Sequence, residues 1–419
     1  MANLLDKVVS LCKRRGFIFP SSEIYGGLAN FWDYGPLGVE LKNNIKKLWW
    51  QKFVQSRDDM VGLDTTLIMN PKVWQASGHL SAGFADNLVE CKKCHNRFRQ
   101  DEIENKCPNC GGALTEPKQF NLMLKTFLGP AEETANTAYF RPETAQGMFV
   151  DFKNVLDTTR MTLPFGIAQI GKAFRNEITP GNFIFRLREF EMMEIEYFIQ
   201  EKEWEKYFEY WRKQIIGWLK ELGVDIRKIH EVEIPDGERA HYSKKTIDFE
   251  YEFPFGQKEL YGLAYRADFD LKNHYKEPPY EDFWPHVVEP TWGVDRSVLV
   301  TLLEAYFEEK DRIVLKLPLK LAPYKAAVFP LLANKPELVK LARKIYDDLR
   351  KDFRVAFDDR GNIGKRYYSQ DEIGTPFCLT VDFESLENND VTIRDRDTMK
   401  QKRVKIEDLK EFLEKEFKG

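Results

Sequence analysis

Histidine is scarce in this 419-residue chain, with six in all, and cysteine is no commoner. None of the six imidazoles lies near a G-x-S-x-G, which leaves a Ser–His–Asp hydrolase little to work with. No G-x-x-x-x-G-K-[ST] occurs, and no G-x-G-x-x-G follows a strand-like run, so nucleotide binding cannot rest on those glycine-rich loops. GNIGKR, residues 361–366, has the wrong spacing and no hydroxyl after its lysine, and reads as a turn. Runs long enough to span a bilayer, about 18 apolar residues, are missing. The opening MANLLDKVVSLCKRRG carries Asp6 and Lys7 within its apolar run and no small-residue cleavage site. It does not read as a secretory signal, and a cytoplasmic location is expected. Charge of one sign is also lacking: the net value is −4 with a pI near 6.0. A general polyanion coat is excluded, and any nucleic-acid contact needs a local basic surface.

What is there suits large cores. The chain is 43% hydrophobic and 14% aromatic, and its length implies two to three domains. The cysteines are informative through spacing. Cys91 and Cys94, then Cys107 and Cys110 followed by two glycines, form paired C-x-x-C knuckles. Four thiolates so spaced close a tetrahedral zinc site with no open position, a structural Zn2+. Paired disulfides are the alternative, disfavoured in a cytosolic chain. Cys12 and Cys378 stand alone and read as buried thiols.

Periodicity organises the rest. Residues 37–55 place Val39, Ile45, Leu48, Trp49 and Phe53 at helical spacing, and an extended run follows, ending at Pro71. Residues 201–222 put Trp204, Phe208, Trp211, Ile215, Trp218 and Leu222 on one helix face, a core stripe. Strand-like runs return at 246–271, and a helix begins at Asp295. KLPLKLAPYK, residues 316–325, reads as a linker. Beyond it strand and helix alternate to the end, a separate α/β domain of about 100 residues.

FIFRLREFEMMEIEYF, residues 183–198, resists a bland reading. Alternation gives one strand face Phe185, Leu187, Met193, Ile195 and Tyr197, and the other Arg186, Arg188, Phe190, Glu194 and Glu196. A solvated face gains nothing from Phe190 among charges. Arginines, an aromatic and carboxylates together suit a polyanion, a planar ring and an ammonium group. Arg175 and Glu177 just upstream, and Glu289 to Arg296 later, repeat that chemistry, and burying such charges is costly without a partner or ligand.

Three blocks carry a resemblance: the helix, strand and Pro71; FRNEITPGNFIFRLREFEMMEIEYF; and EPTWGVDR opening a helix. In that order they resemble the motifs of class II aminoacyl-tRNA synthetases. RRGFIFPSSEIYGG, NPKVWQASGH, RPETAQGMF, GKRYYSQDEIGTPF and RDRDTM extend the likeness to the glycyl-tRNA synthetase family along essentially the whole chain. The resemblance implies an α+β fold: an antiparallel sheet flanked by helices over residues 1–318, a zinc-ribbon-like insertion at 88–118, a helical/mixed insertion at about 201–255, and an α/β anticodon-binding domain over 319–419. It also implies a homodimer, no membrane, and glycine–tRNA ligase chemistry with ATP, Mg2+ and tRNA.

Carried over by position, Arg175 would hold the α-phosphate of ATP and the glycine carboxylate, a task suited to a guanidinium. Glu177 would meet the adenine amino group or the acceptor end of tRNA, Arg186 the γ-phosphate, and Phe190 the adenine face. Arg296 would cover the opposite face, and Glu259 would hold magnesium on the phosphates. Asn176, Phe185, Leu260 and Gly293 complete the implied nucleotide set. Glu143, Glu194 and Glu289 would cage the glycine ammonium and exclude any Cβ. Thr291 stands where serine is expected, with Arg99 and Arg266 near the substrate. Lys365, Arg366, Arg394 and Arg396 are candidate RNA contacts, a solvated charged face being the alternative. Two other readings stay open: a non-catalytic class II paralogue that binds nucleic acid, and a class II synthetase for another small amino acid.

Overall fold

The computed structural model describes residues 3–80, 84–133, 136–240 and 242–418. Helix α1, Leu4–Arg15, starts in a reciprocal cap between Asn3 and Asp6 and stops at Gly16, whose φ of 78° suits glycine. Helix α2, Pro36–Trp50, buries Leu41, Ile45 and Trp49, while Val39 of the expected stripe faces outward. Strand β1, Met60–Gly62, is followed mostly by coil. A short strand, Ile68–Met69, paired antiparallel with Phe140 and Tyr139, stops just before Pro71, as expected, and the proline has a second role. It opens helix α3, Pro71–Ala76, capped by Asn70, where a missing N–H costs nothing.

Helix α4, Ala145–Val150, precedes strands β2, Phe165–Phe174, and β3, Glu189–Ile199. The strand expected from residue 183 therefore begins six residues later. Asn182 and Phe183 adopt φ of 55° and 59°, and a turn pairing Gly181 with Arg186 occupies the space. Arg186 and Arg188 project from this loop, not from a sheet face. From Met192 onward both parities of β3 are buried, because layers cover both sides. Met193, Ile195 and Tyr197 belong to the core containing Trp49, Trp211 and Trp218, whereas Phe198 packs with Phe149 and Phe152.

Helix α5, Trp204–Glu221, buries Phe208, Trp211, Ile215 and Trp218 as its period requires. Strands β4, Ile229–Glu233, β5, Lys245–Phe253, and β6, Gly256–Ala267, follow. The run read as strand-like to 271 ends instead in helix α6, Phe269–His274. Strand β7, His286–Gly293, leads straight into helix α7, Val294–Ala305. These strands form one sheet in the order β4-β5-β6-β7-β3-β2-β1, antiparallel except for β2 with β1. Residues 201–255, expected as an insertion, thus contribute a covering helix and two sheet strands. The cysteine knuckles sit on a small sheet of their own, built from Ala85–Glu90, Arg97–Arg99 and Lys118–Asn121.

A second core belongs to strands β8, Ala326–Pro330, β9, Val355–Phe357, β10, Phe377–Val381, β11, Asp390–Asp395, and β12, Gln401–Lys405. Helix α8, Pro336–Leu349, buries Leu338, Ala342, Ile345 and Leu349 against it. The order is β9-β8-β10-β11-β12. A short helix, Phe383–Asn388, separates β10 from β11, so the strand–helix alternation lapses only at the β11–β12 hairpin; β10–β11 and β11–β12 both pair antiparallel. GNIGKR is more than a turn, since Asn362 caps helix α9, Ile363–Asp371.

Candidate active site

A cavity of about 250 Å³ opens where the loop after β2, the start of β6 and the β7–α7 junction converge. Arg99, Arg175, Glu177, Phe185, Arg186, Phe190, Glu259, Leu260, Gly293 and Arg296 line it; Asn176 does not. Arg175 follows the last residue of β2, and its Nε donates to the Pro142 carbonyl at 3.1 Å. Its guanidinium carbon stands 5.5 Å from the Phe190 ring centre and 5.6 Å from that of Phe84. Arg296, in the first turn of α7, lies 4.6 Å over Phe185, pairs with Glu259 Oε2 at 3.2 Å and donates to the Glu259 carbonyl at 2.8 Å. Planar cations facing aromatic rings form walls between which a flat, π-rich ring fits. Glu177 keeps one carboxylate oxygen buried and unpartnered; burial pushes its carboxyl up, opposed by Arg175 and Arg186.

Beyond Arg175 a second cavity, about 420 Å³, is lined by Glu143, Glu194, Glu289 and Thr291. Arg175, Met192, Glu259 and Thr291 line both cavities, so the arginine stands between a chamber that mixes arginines with carboxylates and an acidic one. Each carboxylate is held by its own donors. Glu143 meets Gln146 Nε2 at 2.9 Å and His79 Nε2 at 3.2 Å; burial pushes its carboxyl up, but His79 and Arg266 outweigh this and hold it well below the usual range. Glu194 accepts from the Thr144 N–H at 3.1 Å, from the Thr144 hydroxyl, and from Thr291 Oγ1 at 3.2 Å. Glu289 accepts from Arg266 Nη1 at 2.7 Å. Arg266 is wholly buried, lies 3.6 Å over the Tyr242 ring, and gives two further N–H groups to Asp270 at 2.7 and 2.8 Å. The outcome is an excess of buried acid facing the cavity, a setting that favours a small cation.

Comparison with known proteins decides the family. Residues 128–324 match the tRNA synthetase class II core domain (G, H, P, S and T), and residues 325–416 match the anticodon binding domain. The glycine–tRNA ligase of Alkaliphilus oremlandii is 50% identical over 459 residues, spanning 99% of this chain and 98% of that protein. That of Geobacillus thermodenitrificans is 50% identical over 463 residues, with 100% and 98% covered, and that of Streptomyces coelicolor 49% over 459, with 100% and 99% covered. The chain belongs to the glycine–tRNA ligase family.

As in the reading from sequence, this family member brings Glu143, Glu194, Glu289 and Thr291 together around one space. Arg99 does not join them: it lines the first cavity, with Arg175 and Arg186, and pairs with Asp86 at 3.3 Å and Asp101 at 2.8 Å. Arg186 is engaged by Glu102 from the cysteine-bearing insertion. Four supporting residues were missed. His79, Thr144, Gln146 and Asp270 hold the acidic groups in place, and only the i,i+4 spacing of Arg266 and Asp270 signalled any of this. Arg141 was missed too. It is buried against Gly171, where any Cβ would lie 2.1 Å from its Nη2, and donates to the Thr65 carbonyl at 2.8 Å, fixing the turn that presents Glu143.

The four knuckle sulfurs lie within 4.8 Å of one another, with Cys91–Cys110 and Cys94–Cys107 Sγ pairs at 3.5 Å. That is far from a bonded disulfide and near the ~3.8 Å edge of a tetrahedron with 2.3 Å metal–sulfur bonds. Cys12 and Cys378 are buried free thiols, as expected. In the C-terminal unit three RNA candidates are structural. Arg394 makes a bidentate pair with the buried Asp371 at 2.8 and 2.9 Å; Arg366 donates to the Pro330 carbonyl at 2.5 Å and Arg396 to the Leu317 carbonyl at 3.0 Å. Only Lys365 of the four is exposed.

Proposed function

We propose that this chain activates glycine with ATP, forming glycyl-adenylate and pyrophosphate, and then transfers glycine to the 3′-terminal ribose of its tRNA. The observation that carries this reading is the placement of Arg175 on the wall between the arginine- and aromatic-lined cavity and the acidic one. A guanidinium there neutralises two anions that must meet: the α-phosphate from one side and the glycine carboxylate from the other. In-line attack by that carboxylate on the α-phosphorus expels pyrophosphate; the tRNA hydroxyl then attacks the carbonyl carbon of the mixed anhydride, and AMP leaves. No protein nucleophile is needed, because positioning and charge neutralisation lower the barrier.

Phe190 and Arg296 hold the adenine ring between them, Arg186 binds the γ-phosphate, and Glu177 accepts from the adenine amino group. Glu143, Glu194 and Glu289 bind the ammonium. An amine held by all three carboxylates would turn any Cβ toward this cage, and Thr291 adds a methyl to its rim. Glu259, half exposed beside Arg296, would hold magnesium, which when bound spreads phosphate charge. Cys91, Cys94, Cys107 and Cys110 would hold zinc as a structural clamp. We place the boundary between catalytic and anticodon-binding domains at residues 318–319.

We infer that the chain works as a homodimer: Ile24 and Tyr25, 88% and 86% exposed, with Leu28 beside them, form an apolar surface suited to a second copy. Free knuckle thiols suit a reducing compartment, the cytoplasm. No helix among the described residues is long and apolar enough to cross a membrane. Amino-acid-dependent ATP–pyrophosphate exchange tests the reading. Exchange should occur with glycine and not with alanine, serine, threonine, proline or histidine. Exchange with none of them, or with another of them only, overturns it.

A further inference from the structure

We propose that Glu196 is a positioning residue for the amine pocket: a neutral carboxylic acid that stands behind Glu289 and keeps its own proton, offering Glu289 an O–H donor so that the Glu289 carboxylate stays turned toward the substrate amine. This deepens the glycine reading and rests on it.

The β3–β7 register pairs Glu194 with Thr291 and Tyr197 with Val288, which sets Glu196 directly across from Glu289. Two glutamates facing each other across an antiparallel pair repel unless one holds a proton. Carboxylate oxygens of Glu194, Glu196 and Glu289 all lie within 4.8 Å of one another. Glu196 is 0% exposed, and neither of its oxygens has a hydrogen-bond partner. It does not line the acidic cavity, whereas Glu194 and Glu289 do, so it acts through a neighbour.

The surrounding charges decide where the proton resides. Arg266 on β6 satisfies Glu289 with one N–H and Asp270 on α6 with two others. Glu143 is held by His79 and Gln146, and Glu194 by Thr144 and Thr291. Tyr242 covers the far face of Arg266. Every other carboxyl in the cluster thus has its donor; Glu196 has none. A buried carboxylate without a donor or cation is unfavourable, and protonation relieves it. Burial pushes Glu196 well up, reinforced by Glu289, and pushes Glu289 well up too; Arg266 opposes both, but gives an N–H only to Glu289, while Glu196 has no donor. The proton shared by the pair settles on Glu196. An ionised Glu196 would push Glu289 away from the amine.

The test compares Glu196→Gln, which keeps shape and a donor but cannot ionise, with Glu196→Met, which keeps bulk and has no donor. In glycine-dependent ATP–pyrophosphate exchange, Glu196→Gln should keep the glycine KM within about threefold of wild type, while Glu196→Met raises it tenfold or more with the ATP KM unchanged. Infrared difference spectra on adding glycine at neutral pH should contain a protonated-carboxyl carbonyl band that Glu196→Gln removes. A Gln variant as impaired as the Met variant, a Met variant with wild-type glycine KM, or a band that survives in Glu196→Gln overturns the proposal. Absence of glycine-dependent exchange in the wild-type protein would instead sink the glycine reading beneath it.

Discussion

Arg266 Nη1 donates to Glu289 Oε1 at 2.7 Å, and the same guanidinium grips Asp270, so one buried cation ties β6, β7 and α6 together under the acidic cavity. Removing one partner of such a pair leaves charge uncompensated. Arg266→Met should lower stability by about 3–5 kcal/mol. Urea unfolding is expected to show a reduced midpoint with unchanged slope. A midpoint equal to wild type would contradict the role.

Glu102 reaches from the cysteine-bearing insertion to Arg186 and also accepts from Thr179 Oγ1 at 2.5 Å. A carboxylate there occupies the guanidinium assigned to the γ-phosphate, and the nucleotide has to displace it. Glu102→Gln should lower the KM for ATP by about two- to tenfold, each tenfold being 1.4 kcal/mol, with the glycine KM unchanged. Steady-state exchange kinetics check both values.

The insertion itself depends on its metal if four thiolates close around zinc. Protein purified without chelator should carry about one zinc per chain, and Cys107→Ser should lose it. Metal analysis with thiol titration reads this directly. Metal-free, folded wild-type protein with four titratable knuckle thiols would exclude the zinc site.

Glu191 bridges Lys42 at 2.7 Å and Lys46 at 2.9 Å, pinning β3 to α2. Burial pushes its carboxyl up, but the two lysines hold it below the ordinary value. The folded state therefore binds that proton less readily than the unfolded chain. The stabilisation is complete above about pH 4.3, the ordinary glutamate value, and disappears as pH falls through the lower folded value. Glu191→Gln should cost about 1–3 kcal/mol at neutral pH, less than a fully buried pair because the lysines are partly exposed, and should flatten the acid limb of stability. Unfolding midpoints from pH 7 down to pH 3 measure that slope.

The parts legible in the sequence were those with a local signal. Helices α2 and α5 announced themselves by period, since a stripe such as Trp211, Ile215 and Trp218 has to face a core. The knuckles declared themselves by spacing. Glu143, Glu194, Glu289, Arg175 and Arg296 came through resemblance, and they do line the two cavities. Pattern failed where distant segments decide. Alternation in β3 suggested one charged face, but layers on both sides bury Glu194 and Glu196 alike. Arg366, Arg394 and Arg396 look basic in sequence and are consumed by Asp371 and backbone carbonyls. Charge is visible in a chain of letters; its partner is not.

The most direct test is a crystal structure with a non-hydrolysable glycyl-adenylate analogue, such as glycyl-sulfamoyl-adenosine. The account predicts the amine within hydrogen-bond reach of Glu143, Glu194 and Glu289, the sulfamoyl group on Arg175, and the adenine between Phe190 and Arg296. An amine pointing away from the three carboxylates, or an analogue bound without contact to Arg175, would contradict it.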